Sequence, residues 1–326
     1  MKSLLILVSV TLLLSGIIGC KKEKQATPVV PPTPCTATIY GYYGAINDNL
    51  YGPVAPYLFG TFNSSSATSS GIATINTHIR IGDATYNTTD NCYYTLIAGL
   101  ANPTLCKVSS TGSVTYYTLP AGTTTYLGCI TYNAYSNKLL VIQSDSGANI
   151  VSEIIVGAGS NYTLAPVAPI SIGAYTPVWL NCNPTNGDIY VTGYTTTNYL
   201  VSKITPTSSI PIDSGSGVVT NLRYNTSDNM MYGLHYSSVL PYALIRIDPS
   251  GGHIAIADLP VHFNSDFYST CLDDCNGRYI VSTLKYDTAT LSWNDSIGMI
   301  YQLDLSGTLM QQNSTSGLFQ GLVVKH

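Results

Sequence analysis

Charged residues, and glutamate in particular, are scarce in this chain. Only 9% of the 326 residues are charged, and glutamate occurs twice, at Glu23 and Glu153. Residues that favour strands and tight turns, such as Thr, Tyr, Asn and Gly, are abundant instead. No amphipathic pattern with a 3.6-residue period continues for a useful length. The composition excludes a mainly helical architecture and predicts an all-β protein.

Positively charged residues are also scarce beyond residue 35. Four of the 13 Lys and Arg residues and one of the 17 Asp and Glu residues precede residue 36. That leaves nine positive against sixteen negative side chains, a net charge of about −7. Nucleic-acid binding normally requires a basic patch that neutralises phosphates, so we exclude nucleic acid as a partner.

The N-terminus has the features of an export signal. Lys2 precedes an apolar run over residues 4–14, which is typical of a signal peptide rather than of a bilayer-spanning helix. Residues 17–20 (Ile-Ile-Gly-Cys) resemble the lipobox of bacterial lipoproteins at Gly19 and Cys20 and depart from it at the two isoleucines. The resemblance implies a signal peptide over residues 1–19 and an acylated Cys20 that anchors the protein to an outer membrane. The alternative is an ordinary cleaved signal peptide that contains a cysteine.

A tether follows the predicted acylation site. Residues 25–34 (QATPVVPPTP) contain four prolines and no apolar periodicity, so this segment is expected to stay extended. We therefore divide the chain into a signal peptide (1–19), a lipidated cysteine with a Pro-rich tether (20–35) and a β domain (36–326).

Seven cysteines remain once Cys20 is acylated, and an odd number leaves at least one unpaired in an oxidising compartment. Cys92 and Cys106 are predicted to bridge neighbouring strands of one hairpin. Cys271 and Cys275 bracket a turn, where a second disulfide is predicted. Neither spacing is that of a zinc site, and the connectivity stays open.

The most informative signal is an internal repeat. A strand–turn–strand motif recurs with successive starts 46, 50, 42 and 48 residues apart, at residues 86–93, 132–139, 182–189, 224–231 and 272–279. A later glycine-containing turn recurs at residues 107–112, 246–251 and 302–307. A period in the forties with four short strands is typical of a β-propeller blade. Tandem β-sandwiches would instead repeat every roughly 100 residues.

The two ends of the chain decide the number of blades. Residues 38–44 resemble a second strand of the repeat, and residues 318–325 resemble a first strand. We therefore predict that the C-terminal strand is the innermost strand of the N-terminal blade, giving a closed ring of six four-stranded antiparallel blades. Innermost strands are predicted near residues 81–86, 127–132, 178–182, 219–224, 267–272 and 319–324. Seven blades are the alternative, if residues 48–51 are themselves a first-turn motif.

The repeat resembles NHL-like and other degenerate-repeat propellers of bacterial surface lipoproteins. Residues 224–232 (YNTSDNMMY) and 244–251 (LIRIDPSG) carry the resemblance best. These motifs are structural turns, so the resemblance implies a fold and no activity.

Signatures of catalysis are missing from the sequence. There is no sialidase Asp box, Gly-x-Ser-x-Gly elbow, His-Glu-x-x-His motif or phosphate loop. With Glu153 the only glutamate of the β domain, a paired-carboxylate glycosidase would need two aspartates. Asp90, Asp188, Asp228, Asp273 and Asp274 fall in the repeated turns, where we expect them to cap local backbone.

Propeller ligands usually bind at one mouth of the central channel. We predict that the face at that mouth binds a carbohydrate or a peptide, because aromatic rings stack on sugars and charged groups fix hydroxyls. Its candidate residues are His78, Arg80, Tyr126, Tyr175, Trp179, His262, Asp266, Tyr268 and Trp293. Trp179 is more typical of a core residue, and Arg223 either lines the channel or pairs with a turn aspartate.

Two further predictions concern a metal site and covalent modification. His78, His262 and Asp266 form a set that could hold a metal ion, as in propeller lactonases, but the Glu/Asn/Asp ligands of those enzymes have no counterpart here. We expect no cofactor. Thr288 and Ser296 each follow an aspartate and precede an apolar residue, which resembles an O-glycosylation site of some Gram-negative envelopes.

The sequence leaves three functions open. The first is a lipid-anchored binding or adhesion module for a glycan or polypeptide, on the periplasmic or cell-surface face of the outer membrane. The second is a propeller hydrolase or lactonase that uses aspartates at the channel mouth. The third is a structural subunit of an envelope complex.

Overall fold

The computed structural model describes residues 37–47, 52–75, 81–97, 103–120, 125–145, 147–236, 242–259, 269–287 and 292–325. Within these ranges the chain forms 24 β-strands and no helix. Accordingly, the described residues include no helix of the length and hydropathy that a membrane crossing requires. The prediction of an all-β architecture is confirmed.

The strands form six four-stranded antiparallel sheets, numbered here as blades 1 to 6 with the innermost strand first. Blade 1 consists of β24 (Gly317–Lys325), β1 (Thr38–Asn47), β2 (Gly52–Asn63) and β3 (Thr68–Ile75). Blade 2 consists of β4 (Ile81–Asn87), β5 (Cys92–Ile97), β6 (Thr104–Ser109) and β7 (Val114–Thr118). Blade 3 consists of β8 (Tyr126–Asn133), β9 (Lys138–Asp145), β10 (Ala148–Val156) and β11 (Tyr162–Pro169).

The remaining blades repeat this order. Blade 4 consists of β12 (Thr176–Cys182), β13 (Ile189–Tyr194), β14 (Asn198–Ile204) and β15 (Ser209–Ser216). Blade 5 consists of β16 (Val218–Asn225), β17 (Met230–Tyr236), β18 (Ala243–Ile247) and β19 (His253–Asp258). Blade 6 consists of β20 (Ser269–Asp273), β21 (Arg278–Asp287), β22 (Ser292–Asp304) and β23 (Leu309–Thr315). The six innermost strands contact one another in turn around a central channel.

The ring closes through the C-terminal strand. β24 pairs antiparallel with β1, from Thr38 opposite Lys325 to Ala45 opposite Gly317. Six blades and this closure are confirmed, and the seven-blade alternative is wrong. Residues 48–51 lie outside the described residues, but β1 and β2 on either side of them pair with each other. That segment therefore connects two strands of blade 1.

The repeated first turns have a common physical basis. The first position of each turn is an Asn or Asp whose side chain accepts a backbone N–H two or three residues later, at Asn87, Asn133, Asn183, Asn225 and Asp273. Four residues further on, the backbone has a φ between 54° and 79°, at Asn91, Asn137, Gly187, Asn229 and Gly277. Only Gly, and to a lesser degree Asn, adopts this left-handed conformation readily. The Asn/Asp/Gly pattern of the sequence therefore encodes these turns.

Neither predicted disulfide forms. Cys92 and Cys106 are free, buried thiols. Cys106 lies opposite Thr95, three residues from Cys92, and because side chains alternate along a strand the two thiols project from opposite faces of the blade. Cys271 is also a free thiol, and it packs in the core beside Ile280 and Phe319. Cys275, in the following turn, is disulfide-bonded, but not to Cys271. The predicted Cys92–Cys106 and Cys271–Cys275 bridges are both wrong.

Candidate functional site

The central channel has two ends, which differ in the segments that surround them. We call the end where the innermost strands begin the loop mouth, and the end where they run into the first turns the turn mouth. The predicted ligand face is the loop mouth.

Most of the predicted ligand-binding side chains lie outside the described residues: His78, Arg80, His262, Asp266 and Tyr268. The same holds for Cys20 and for Thr288, and for the side chains of Trp293 and Ser296, whose backbones lie on β22. The ligand-binding, lipidation and glycosylation assignments of these residues stay predictions.

Three predicted aromatic residues of the loop mouth are described. Tyr126 begins β8 and is 69% exposed, so its ring is available to a ligand. Tyr175 immediately precedes β12, the innermost strand of the next blade, and is half-buried. Trp179 is likewise half-buried and packs on the same apolar cluster as Tyr175, which agrees with its interpretation as a core residue. Tyr126 and Tyr175 therefore lie at the starts of two adjacent innermost strands.

Bulges interrupt five of the described innermost strands near the same level. In β4 the register shifts between Ile81 and Ala84, and β8, β12, β16 and β24 have comparable shifts. A bulge inserts an extra residue and redirects side chains, which is how such irregularities commonly serve functional sites. In β4 and β8 the bulges contain Asp83 and Cys129.

An ion pair crosses the centre of the channel. The guanidinium of Arg223, on β16 of blade 5, lies 3.4 Å from the carboxylate of Asp83, on β4 of the opposite blade 2. Their side chains are 17% and 11% exposed. Burial lowers the pKa of Arg223, but the Asp83 carboxylate together with nearby thiol and phenol groups raises that pKa overall. Arg223 thus lines the channel, and its partner is a strand aspartate rather than a turn aspartate.

A thiol completes this group of side chains. Cys129 Sγ lies 2.5 Å from Asp83 Oδ2 and 3.6 Å from the carbonyl oxygen of Leu180. Burial and the adjacent Asp83 both raise the pKa of Cys129, so the thiol stays protonated and donates to the carboxylate. A protonated, buried thiol is a poor nucleophile.

A cavity of about 160 Å³ lies beside the ion pair, towards the turn mouth. Five innermost strands contribute its lining: Ala84, Thr85, Tyr86, Asn181, Arg223, Tyr224, Cys271, Leu272, Leu322, Val323 and Val324. The lining includes one guanidinium, one amide and two tyrosines, and its exposed surface is mainly polar. It therefore suits a small polar ligand.

The turn aspartates all accept hydrogen bonds, and three of the five cap local backbone as predicted. Asp90 and Asp228 each accept a backbone N–H two residues later and a tyrosine hydroxyl four residues later. Asp273 accepts the backbone N–H of Asn276. Asp188 and Asp274 instead accept from the side chains of Lys203 and Thr226. These carboxylates serve the turns and the contacts between neighbouring strands and blades, away from the channel ion pair.

Neither described histidine lies on an innermost strand, although His235 on β17 is paired with Val219 of the innermost β16. His253 on β19 pairs with Asp213 on β15 at 2.9 Å, and Tyr199 donates to the same carboxylate. His235 on β17 contacts the carbonyl oxygen of Ser216. Within the described ranges, no group of three His, Cys, Asp or Glu side chains is arranged to hold a metal ion.

Fold and channel together define a six-bladed β-propeller whose centre is closed by a buried ion pair. The sequence matches no protein-family model, and no curated protein matches it. Among solved structures, the chain is similar to TolB from Acinetobacter baumannii (10% identity, TM-score 0.63), covering 90% of this chain and 67% of that one.

Two other solved structures are also similar to this chain. One is a chain of a nidogen/laminin complex, at 10% identity and TM-score 0.59, covering 89% of this chain and 98% of that chain. The other is the periplasmic gluconolactonase of Pseudomonas aeruginosa, at 11% identity and TM-score 0.54, covering 88% and 99%. At such low identities the similarities establish the fold alone.

Proposed function

We propose that the protein is a binding module of a Gram-negative envelope, held in the outer membrane by the acylated Cys20, that captures a glycan or polypeptide at its loop mouth. The proposal rests on the contacts of Asp83, whose carboxylate lies in the central channel. Arg223 and Cys129 both engage it, so it is not available as a general base or nucleophile.

The exposed aromatic surface supports the same proposal. Tyr126 is exposed at the loop mouth, and Tyr175 begins the neighbouring blade. Tyrosine supplies a rigid ring and a polar hydroxyl, and it is enriched among residues that dominate binding energies. The gluconolactonase of Pseudomonas aeruginosa that has a similar fold is periplasmic, which is compatible with an envelope role for this protein.

Removing the two loop-mouth tyrosines should weaken ligand binding. We expect Tyr126→Ala/Tyr175→Ala to lower the affinity for a bound polysaccharide or glycoprotein by roughly tenfold, the effect of losing a well-placed aromatic contact. Affinity electrophoresis against a panel of polysaccharides and glycoproteins measures this. Tyr135→Ala is the matched control, because Tyr135 is 66% exposed but lies in a first turn, at the turn mouth. Equal losses in both variants would contradict the proposed face.

Acylation of Cys20 is tested by fractionation of the native host. Cys20→Ser is expected to move the protein from the membrane pellet to the soluble fraction, because stable anchoring by lipid requires the acyl chains. Ser3→Ala, in the signal peptide, is the control and should stay in the pellet. Retention of Cys20→Ser in the pellet would show that another contact holds the protein.

A lactonase is the second candidate function. The structural similarity to the periplasmic gluconolactonase of Pseudomonas aeruginosa favours it. A lactonase predicts turnover of a lactone panel and loss of that turnover in Asp83→Asn. A binding module predicts no turnover with or without added divalent cations, so the same assay separates the two functions.

A further inference from the structure

We propose that the cavity at the turn mouth is a second binding site, specific for a small organic monocarboxylate. It lies at the opposite end of the channel from the loop mouth and is independent of the polymer ligand proposed above. Its donors are the guanidinium of Arg223 and the amide of Asn181.

The guanidinium of Arg223 has N–H groups to offer a ligand. It has five N–H donors, and among the described residues its one hydrogen bond is the 3.4 Å contact with Asp83. Its side chain is 17% exposed, and it lines the cavity. A planar guanidinium with free N–H groups is the side chain best suited to bind a carboxylate through two parallel hydrogen bonds.

The amide of Asn181 also faces no partner. Asn181 is 8% exposed, and its Oδ1 accepts the N–H of Cys182 while its Nδ2 has no hydrogen-bond partner among the described residues. Buried polar atoms are nearly always paired, and an unpaired one costs about 1–3 kcal/mol. The unpaired amide and the guanidinium of Arg223 around one cavity indicate a site that an acceptor-rich ligand completes.

Charge around the cavity favours a monoanion over a dianion. Arg223 and Asp83 balance one another beside it. A further carboxylate acts on the same lining, since burial and Asp273 both raise the pKa of Cys271. Additional negative charge is therefore costly here, which favours one carboxylate over a phosphate dianion.

The size and the wall of the cavity define the rest of the ligand. A volume of about 160 Å³ equals that of roughly five water molecules, so it admits an acid of a few carbon atoms or a single ring. Leu272, Leu322 and Val323 border the cavity but are buried in apolar clusters, so the surface that a ligand meets is mainly polar. The favoured class is therefore a small monocarboxylate, and a hydroxylated one above all.

The test compares acids with their uncharged amides. Calorimetric titration of the full-length protein in detergent is performed with acetate, lactate and benzoate, with acetamide, lactamide and benzamide, and with inorganic phosphate. We expect saturable binding of at least one acid, about tenfold tighter than its amide, because only the acid pairs with the guanidinium. Absence of binding by all three acids, equal binding of acid and amide, or binding of phosphate alone overturns the proposal.

Variants locate the site. Asn181→Leu preserves side-chain volume and is expected to weaken acid binding about fivefold. Arg223→Met/Asp83→Leu removes the ion pair as a unit and should abolish acid binding. Arg246→Met, on β18 two strands from the channel, is the control and should bind as the parent does. Unchanged binding in Asn181→Leu and in the double variant would place the acid elsewhere. Polysaccharide binding at the loop mouth should be unaffected by Asn181→Leu, which separates this site from the proposed binding function.

Discussion

Arg223→Met is expected to destabilise the protein by about 3 kcal/mol, because it leaves the Asp83 carboxylate buried without its cation. Among the described residues, the only remaining side-chain partner of Asp83 is the Cys129 thiol, which is a weak donor. Urea denaturation followed by tryptophan or tyrosine fluorescence measures the change. The comparison variant is Lys138→Met, which breaks the exposed Lys138–Glu153 pair and should cost about 1 kcal/mol or less.

Removing both charges should restore most of the lost stability. Arg223→Met/Asp83→Leu replaces the pair by apolar groups, an exchange that is often neutral or stabilising in buried sites. We expect it to lie within about 1 kcal/mol of the parent protein, so that the two single changes are strongly non-additive. Additive losses would mean that the two side chains do not interact across the channel.

Deletion of residues 317–326 is expected to abolish cooperative folding. It removes β24, whose Leu318, Phe319 and Leu322 are fully buried, and burial of each such side chain contributes about 1.5–3 kcal/mol. The sum approaches the whole stability of an ordinary domain, about 5–15 kcal/mol. The deletion also exposes the edge of β1, which promotes aggregation. Loss of the cooperative thermal transition and of soluble protein is the expected observation.

A permuted chain distinguishes loss of the strand from loss of the chain end. Residues 317–325 are moved to precede Thr38 and joined to it by the Thr-Thr-Asp-Asn turn of residues 88–91. This turn connects the first and second strands of blade 2. The permuted protein should unfold cooperatively near the transition temperature of the parent. A truncated chain that unfolds like the parent would contradict the role of β24 in closing the ring.

The fold was predictable because its repeat is local. Each first turn depends on an Asx side chain and on a left-handed residue four positions later, as in Asn87 with Asn91 and Asp273 with Gly277. Both residue types are visible in the sequence, and their spacing gives the blade period. Ring closure followed from the resemblance of residues 318–325 to a first strand, and the pairing of β24 with β1 confirms it.

The site was predictable only in part. Arg223 was recognised as a channel residue, but Asp83 and Cys129 were missed because a regular strand would not aim them at the channel. The sequence does contain a signal for these two residues. Asp83 and Cys129 each follow a glycine, and each lies four residues before the asparagine that begins a first turn. These two Gly-X pairs form the bulges of β4 and β8. The disulfide predictions failed for a related reason. Strand register decides which face a cysteine occupies, and Cys92 and Cys106 occupy opposite faces.

The sequence by itself determined the all-β class, the six-blade period and the closure by the last strand, because turn chemistry and strand alternation act over a few residues. Only the tertiary structure decided which side chains meet in the channel. Arg223 and Asp83 are 140 residues apart and lie on opposite blades, so their pairing depends on the number of blades and on the bulge in β4. The cavity with the unpaired amide of Asn181 likewise exists only where five innermost strands converge.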